Sequence, residues 1–157
     1  MAADKGVIRY CRHVSRPYMF SASMPPSNVA AVIESLNILK NEPERMERLH
    51  ENAEYMKEGY RKIGVPFRES KSPIIAIDTY TTLRTFKITK ALLESGVYVN
   101  PVLMPAVPEG QAILRTSYTA THTKEQLDYA LEGFDRVFNE LYPVTPEELE
   151  ISVKSYL

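Results

Sequence analysis

Apolar residues recur at steps of three and four along much of the chain, the spacing that predicts amphipathic helices. The longest such pattern begins near Pro43 and ends near Gly64, a residue well suited to ending a helix. Thr123 and Gln126 form a capping-box sequence, which predicts the start of a helix that runs to about Leu141. The same spacing predicts helices over residues 4–14, 25–40 and 83–95, and a last short helix from Thr145 to about Tyr156.

Two other stretches have the patterns of β-strands. Residues 73–78 are a short apolar run rich in β-branched side chains, which is typical of a buried strand. Residues 112–119 alternate between two sets of side chains, as a strand does. Residues 18–23 and 98–99 are predicted to be short extended pieces, and the three prolines and one glycine of residues 100–110 predict an irregular loop.

This order of elements predicts an α+β fold, with a short, mainly antiparallel sheet and helices on one of its faces. Residues 1–40 fit that unit poorly. We therefore expect residues 1–40 to be a helical remnant of a larger domain with its connecting helix, and residues 41–157 to be a small C-terminal domain.

Composition narrows the class of protein. The 19 basic and 20 acidic residues give a net charge of −1, so bulk charge does not recruit nucleic acid. A single cysteine, Cys11, excludes an internal disulfide framework and favours a reducing, cytoplasmic location. Nowhere do 18 apolar residues run together, so no membrane span is predicted.

Arg115 is the first candidate for chemistry, because it interrupts an otherwise neutral strand and precedes a run of hydroxyl side chains. A guanidinium group offers two parallel donors to a carboxylate, which fixes the orientation of that carboxylate as well as its charge. The alternative is an ordinary surface arginine on a strand edge. The spacing of the residues does not decide between the two interpretations.

Ser21 and Ser23 precede the Pro25-Pro26 helix start, where hydroxyls and helix amides could bind phosphate. The alternative is that Ser23 only caps the helix. His122 suits a structural hydrogen bond at a helix start, and His13 and His50 share no spacing with other metal ligands. No metal site is predicted, and glycine-rich phosphate-binding motifs are absent from the sequence.

Taken together, several segments resemble the C-terminal part of the pyridoxal-phosphate-dependent α-oxoamine synthases. The resemblance rests on SRPYMFSASMPP (15–26), NEPER (41–45), SPIIAI (72–77) and VNPVLMPAVPEGQAILRTSYTATHT (99–123), and covers about residues 2–141. The family includes serine palmitoyltransferase, glycine C-acetyltransferase, 8-amino-7-oxononanoate synthase and 5-aminolevulinate synthase. The amino-acid sequences of these segments most resemble those of the bacterial serine palmitoyltransferase group.

The resemblance implies the small domain of fold type I, a homodimer, and decarboxylative condensation of an amino acid with an acyl-CoA. Arg115 matches the arginine that binds the amino-acid carboxylate. Ser21 to Ser23 match a stretch that reaches the phosphate of the partner subunit's cofactor, and Pro101 to Pro108 match a loop that borders the substrate entrance.

No residue of this sequence matches the lysine that binds the cofactor in that family, and Lys5 is not assigned to that role. The resemblance therefore assigns no catalytic residue, and we expect the chain to be inactive by itself and not to bind pyridoxal phosphate covalently. One alternative is a non-catalytic interaction module that pairs with a complete or split family member; another is an unrelated α+β binding domain. Whether the chain is an inactive part of such an enzyme or an interaction module, the apolar side of the helix at 25–40 should be exposed and favour a homo-oligomer.

Overall fold

The computed structural model describes residues 3–148. The chain divides into two compact units, one on either side of the Glu42–Pro43 bond. This division lies two residues beyond the predicted boundary at residue 40. The assignment of the first unit to a larger domain stays a prediction.

The first unit consists of three helices, α1 (Lys5–Val14), α2 (Arg16–Phe20) and α3 (Pro26–Asn41). The side chain of Asp4 caps α1 by accepting a hydrogen bond from the Gly6 amide at 2.8 Å. The prediction that residues 18–23 are extended was wrong for the first three of them, which lie in α2. The reason is local: a proline in the first turn of α2 has its φ already set for a helix.

The helix predicted for residues 25–40 is α3, and its apolar side is exposed, as predicted. Its first helical residue is Pro26, and Pro25 occupies the N-cap position without a side-chain hydrogen bond. The alternative in which Ser23 caps this helix was therefore wrong. The first helical residue is a proline and has no amide hydrogen. The start of α3 therefore has one amide fewer that a capping side chain would need to satisfy.

The second unit contains a four-stranded antiparallel sheet, in which the first strand along the chain pairs with the second, the second with the fourth, and the fourth with the third. Its helices pack on one face of that sheet, which confirms the predicted fold class. In chain order the elements are α4 (Glu44–Ile63), β1 (Phe67–Arg68), β2 (Ile74–Tyr80), α5 (Thr82–Glu94), β3 (Asn100–Val102), β4 (Ala112–Ser117) and α6 (Lys124–Asp135).

Two short edge strands were not predicted. β1 has only two residues, too few to show an alternating pattern, and β3 lies inside the stretch predicted to be an irregular loop. Pro101 stands opposite Leu114 in the β3–β4 register and has no amide hydrogen to donate. Asn100 and Val102 must therefore make the ladder hydrogen bonds, and Pro101 faces the outer edge, where the absence of a donor discourages further strand pairing.

The core lies between the sheet and the helices that pack on it, which are α4, α5, α6 and the helical segment that follows α6. Tyr60 of α4 is fully buried beneath the sheet, and its ring meets Phe134 of α6 edge-on at 5.1 Å between ring centroids. Other fully or almost fully buried side chains of this core include Met56, Ile75, Ile77, Ile88, Leu92, Leu114, Val137 and Phe138.

Helix ends follow the predicted chemistry. Gly64 ends α4 in the left-handed conformation with φ 72°, and Thr123 and Gln126 form a complete capping box at the start of α6. Beyond α6 the chain continues as a π-helical segment, Arg136–Leu141, within the helix predicted to reach Leu141. A helical turn begins at residue 146, but the rest of the helix predicted to reach Tyr156 lies outside the described residues.

No helix within residues 3–148 combines the length and the apolar character needed to cross a membrane.

Candidate functional site

Arg115 lies on β4, and its side chain points away from the core. Its neighbours Leu114 and Thr116 are buried under the helices, so the alternation along the strand places Arg115 on the open face of the sheet, where it is exposed. Within the part of the chain that the structure describes, no hydrogen bond or ion pair engages the Arg115 guanidinium. Its donors are therefore available to an outside acceptor.

The residues beside Arg115 on the open face are set by the strand register. Ala76 of β2 stands opposite Arg115 on one side and Asn100 of β3 on the other. Arg68 of β1 stands opposite Ala76, so the small side chain of Ala76 separates two arginines on one row of the sheet. Only the methyl group of Ala76 therefore stands between the two arginines in this row.

The two arginines of this row differ in their partners. The Arg68 Nε donates to an Asp78 carboxylate oxygen at 2.9 Å, and one of its terminal nitrogens donates to the Gln111 carbonyl at 3.4 Å. Arg68 is therefore neutralised within the protein, whereas Arg115 is not. Of the two, Arg115 is the one suited to bind a carboxylate with two parallel hydrogen bonds.

A cleft of about 670 Å³ opens beside the end of β4, where β3 has stopped pairing. Its lining includes Thr116, Ser117 and His122, but Arg115 is outside it. Deeper in the protein the Tyr118 and Tyr60 hydroxyls lie 2.5 Å apart. Burial raises the pKa of Tyr60 well above its usual value, and burial raises the pKa of Tyr118 as well. Burial thus favours the neutral form of both hydroxyls.

The loop after β4 is held in place by α4. The side-chain amide of Asn52 donates to the Thr119 carbonyl at 3.0 Å and to the His122 carbonyl at 3.1 Å. His122 accepts the Thr119 amide on its Nδ1 at 3.2 Å, which is the structural role weighed for it from the sequence. Asn52 had no sequence signal, because its partners lie about 70 residues further along the chain.

The proline-rich segment from Pro101 to Pro108 begins in β3 and continues toward β4. Its chain turns at Leu103, whose carbonyl accepts the Ala106 amide at 2.9 Å. A second turn brings the Gln111 amide to the Pro108 carbonyl at 3.2 Å. The segment is thus a pair of tight turns that connect β3 to β4.

Ser21 and Ser23 belong to the first unit, in the exposed segment between α2 and α3. The Asn28 and Val29 amides at the start of α3 already bond to the Pro25 carbonyl, at 3.0 and 3.2 Å. The first-turn amide that remains for an outside acceptor is that of Ser27. Hydroxyls beside a helix N-terminus are groups that bind phosphate.

Comparison with known proteins gives a consistent result. The family model for class I and II aminotransferases matches residues 1–134. Serine palmitoyltransferase from Sphingobacterium spiritivorum is 43% identical over 140 residues, which are 89% of this chain and 35% of that protein. 8-Amino-7-oxononanoate synthase from Thermosipho melanesiensis is 38% identical over 141 residues, which are 90% of this chain and 36% of that protein.

Solved structures show the same likeness. Serine palmitoyltransferase from Sphingomonas wittichii superposes with a TM-score of 0.75 at 33% identity, over 85% of this chain and 34% of that one. A serine palmitoyltransferase structure that carries pyridoxal phosphate superposes with a TM-score of 0.76 at 34% identity, over the same shares of the two chains. The chain thus spans about a third of the length of the relatives it matches.

Proposed function

Because this chain belongs to the class I and II aminotransferase family, with pyridoxal-phosphate-dependent α-oxoamine synthases as its relatives, we propose that it is the substrate-recognising C-terminal part of such an enzyme. The reaction of that enzyme is the decarboxylative condensation of an amino acid with an acyl-CoA. The observation that carries the proposal is the position of Arg115: exposed, without a partner among the described residues, and on the open face of the sheet.

In this proposal Arg115 binds the carboxylate of the amino acid. Two parallel hydrogen bonds from one guanidinium fix the plane of the carboxylate, and thereby the direction of the bond that joins it to the rest of the substrate. The Arg68–Asp78 ion pair, 2.9 Å between nitrogen and oxygen, keeps the neighbouring arginine from competing for the same carboxylate. Pro101 to Pro108 would border the entrance to this site.

Ser21 and Ser23, with the Ser27 amide, would hold the phosphate of a pyridoxal phosphate bound mainly by another chain. These hydroxyl and amide donors fit a phosphate. None of the residues proposed for the site would form a bond to the reactive carbon of the cofactor. When bound, pyridoxal phosphate supplies an electron sink for the carbanion left by decarboxylation. The contribution of this chain is to bind and orient, and not to form covalent bonds.

By this account residues 1–157 do not catalyse by themselves and act together with the large domain and the cofactor lysine of such an enzyme, in the cytoplasm. A second candidate is an interaction module that pairs with a family member without contributing to its reaction. The exposed apolar side of α3 favours pairing of some kind, but it does not distinguish between these two candidates.

Co-expression tests the proposal. The partner is the part of the Sphingobacterium spiritivorum enzyme outside the matched 35%. We expect this partner and the 157-residue chain to copurify as a yellow complex whose visible absorbance requires both. The control is the same partner with its own C-terminal part.

The chain alone, mixed with stoichiometric pyridoxal phosphate and reduced with borohydride, should keep its unmodified mass. A covalent adduct that disappears in Lys5→Ala would contradict the proposal, because the chain would then carry its own cofactor lysine. The proposal would also be contradicted if the partner formed a yellow complex with its own C-terminal part but not with this chain.

A further inference from the structure

The open face of the sheet, where Arg115 lies, carries charges of both signs. The four strands contain three charged side chains, Arg68, Asp78 and Arg115. The register places both arginines on this face, on either side of Ala76. Asp78 follows Ala76 by two positions and stands between buried residues, so it points to the same face. Two positive charges and one negative charge leave the face with a net charge of +1.

Asp78 is within reach of both arginines but is bonded to one of them. It stands opposite Ile113 of β4, two positions from Arg115, and such diagonal neighbours lie about 7–8 Å apart, within reach of a long side chain. The ion pair forms instead with the Arg68 Nε, at 2.9 Å. Asp78 thus neutralises Arg68 and leaves the charge of Arg115 to be balanced by an outside group.

The spacing of the two arginines suits a small molecule with two carboxylates. β2 lies between β1 and β4, so two strand spacings, about 9–10 Å, separate the Cα atoms of Arg68 and Arg115. Two long side chains at that separation can hold the two carboxylates of one amino acid such as aspartate. The ion pair prevents this, because it occupies the Nε of Arg68 and places a further carboxylate on the same face.

We propose that Asp78 is a specificity-determining residue, which acts through Arg68 to restrict the site to amino acids with a single carboxylate. One carboxylate on Arg115 balances the charge of the face, whereas a second would give it a net negative charge. The Asp78 side chain is only 19% exposed, so water and salt screen its repulsion of that second carboxylate incompletely. The inference rests on the proposed function of Arg115 and extends it to the choice of the substrate side chain.

Kinetics of the co-expressed complex test the proposal. The quantity is the ratio of kcat/KM for L-serine, after which the Sphingobacterium spiritivorum enzyme is named, to kcat/KM for L-aspartate, followed through release of the CoA thiol. Asp78→Asn removes the charge with little change of shape. It should shift the ratio toward aspartate by about 10- to 100-fold, the gain expected of hydrogen bonds between charged groups. Asp78→Thr, whose side chain suits a strand better, should shift it in the same direction.

Two further variants identify the source of the shift. Arg68→Met in the Asp78→Asn background removes the freed arginine and restores the original net charge, so it should abolish the shift. Glu69→Gln removes an equal charge from the residue that follows Arg68. Because Glu69 pairs with Arg61 of α4 at 2.7 Å, and not with a residue of the open face, this variant should leave the ratio unchanged.

A titration of the 157-residue chain alone separates this inference from the proposed function. The Nε–H signals of Arg68 and Arg115 are followed by NMR while acetate or succinate is added. In the unaltered chain each acid should shift the Arg115 signal alone, and the two acids should bind with similar affinity. In Asp78→Asn, succinate should bind at least about 10-fold more tightly than acetate and shift both signals.

Each failure has a distinct meaning. Equal losses for serine and aspartate in both Asp78 variants would assign Asp78 a purely structural role and overturn the proposal. A shift that persists in the double variant would show that the second carboxylate does not bind Arg68. An inactive complex would count against the proposed function, and the titration then decides about Asp78: equal binding of acetate and succinate in Asp78→Asn would contradict the inference.

Discussion

At the scale of single residues, the Tyr60–Tyr118 pair shows how a polar contact can fill a core position. The two hydroxyls lie 2.5 Å apart, and Tyr60 has no exposed surface. Each hydroxyl would be costly to bury alone, by about 1–3 kcal/mol, so each satisfies the other. The sequence did not reveal the pair, because its members are 58 positions apart on a helix and a loop.

This burial predicts a pH dependence of stability. The folded protein holds Tyr60 neutral because its pKa is raised, whereas in the unfolded chain the same tyrosine ionises near its usual pKa of about 10. Ionisation then favours the unfolded state, so the contribution of Tyr60 is fully present below pH ~10 and declines above it.

The measurement is the free energy of unfolding of the unaltered chain and of Tyr60→Phe, from about pH 8 to pH 11. The difference between the two should shrink above pH ~10, by at most about 1.4 kcal/mol per pH unit. A difference that stays constant across this range would show that Tyr60 ionises in the folded protein as readily as in the unfolded one.

At the scale of elements, the contact between α4 and α6 depends on a glycine. A Cβ added to Gly59 would lie 2.4 Å from one methyl carbon of Leu131 and 2.5 Å from the other. Contacts that short force the leucine to move. Gly59 therefore lies inside the last turns of a long helix, despite its poor helix propensity, because the neighbouring helix requires the space.

Gly59→Ala should lower the free energy of unfolding by about 1 kcal/mol, since the overpacking outweighs the gain in helix propensity. Chemical denaturation measures this change, with the neighbouring exposed Glu58→Ala as a control near zero. In a Leu131→Ala background the same Gly59→Ala change should become stabilising, because the obstruction is gone. If it destabilises in both backgrounds, close packing against Leu131 is not the cause.

The elements that the sequence predicted are those long enough for their pattern of apolar and polar residues to repeat several times. α4 shows five turns of apolar spacing in its 20 residues, and both its start and its Gly64 end were located closely. β1 and β3, with two and three residues, are strands only because longer strands beside them offer partners. Their existence depends on tertiary pairing, which no local pattern contains.

At the scale of the whole molecule, the candidate site was only partly predictable. Arg115 stood out because a cation in a neutral strand is unusual, and the resemblance to a known family gave it a role. The sequence did not reveal the Arg68–Asp78 ion pair. Arg68 lies in the same row of the sheet as Arg115 only because of the register of β1 with β2. Predicting it would have required the sheet order β1-β2-β4-β3, which the sequence does not encode locally.

The molecule as a whole covers about a third of the length of its enzyme relatives, and we propose that this third recognises the substrate carboxylate. The most direct test is the steady-state kinetics of the complex described above, followed through release of the CoA thiol. Arg115→Ala should lower kcat/KM for the amino acid by about 10- to 100-fold, the loss expected for hydrogen bonds to a charged group.

The KM for the acyl-CoA should stay unchanged in Arg115→Ala, and Lys90→Ala, at an exposed position on α5, should match the unaltered complex. This result would place the carboxylate on Arg115. An active complex in which Arg115→Ala leaves kcat/KM for the amino acid unchanged would contradict the central claim.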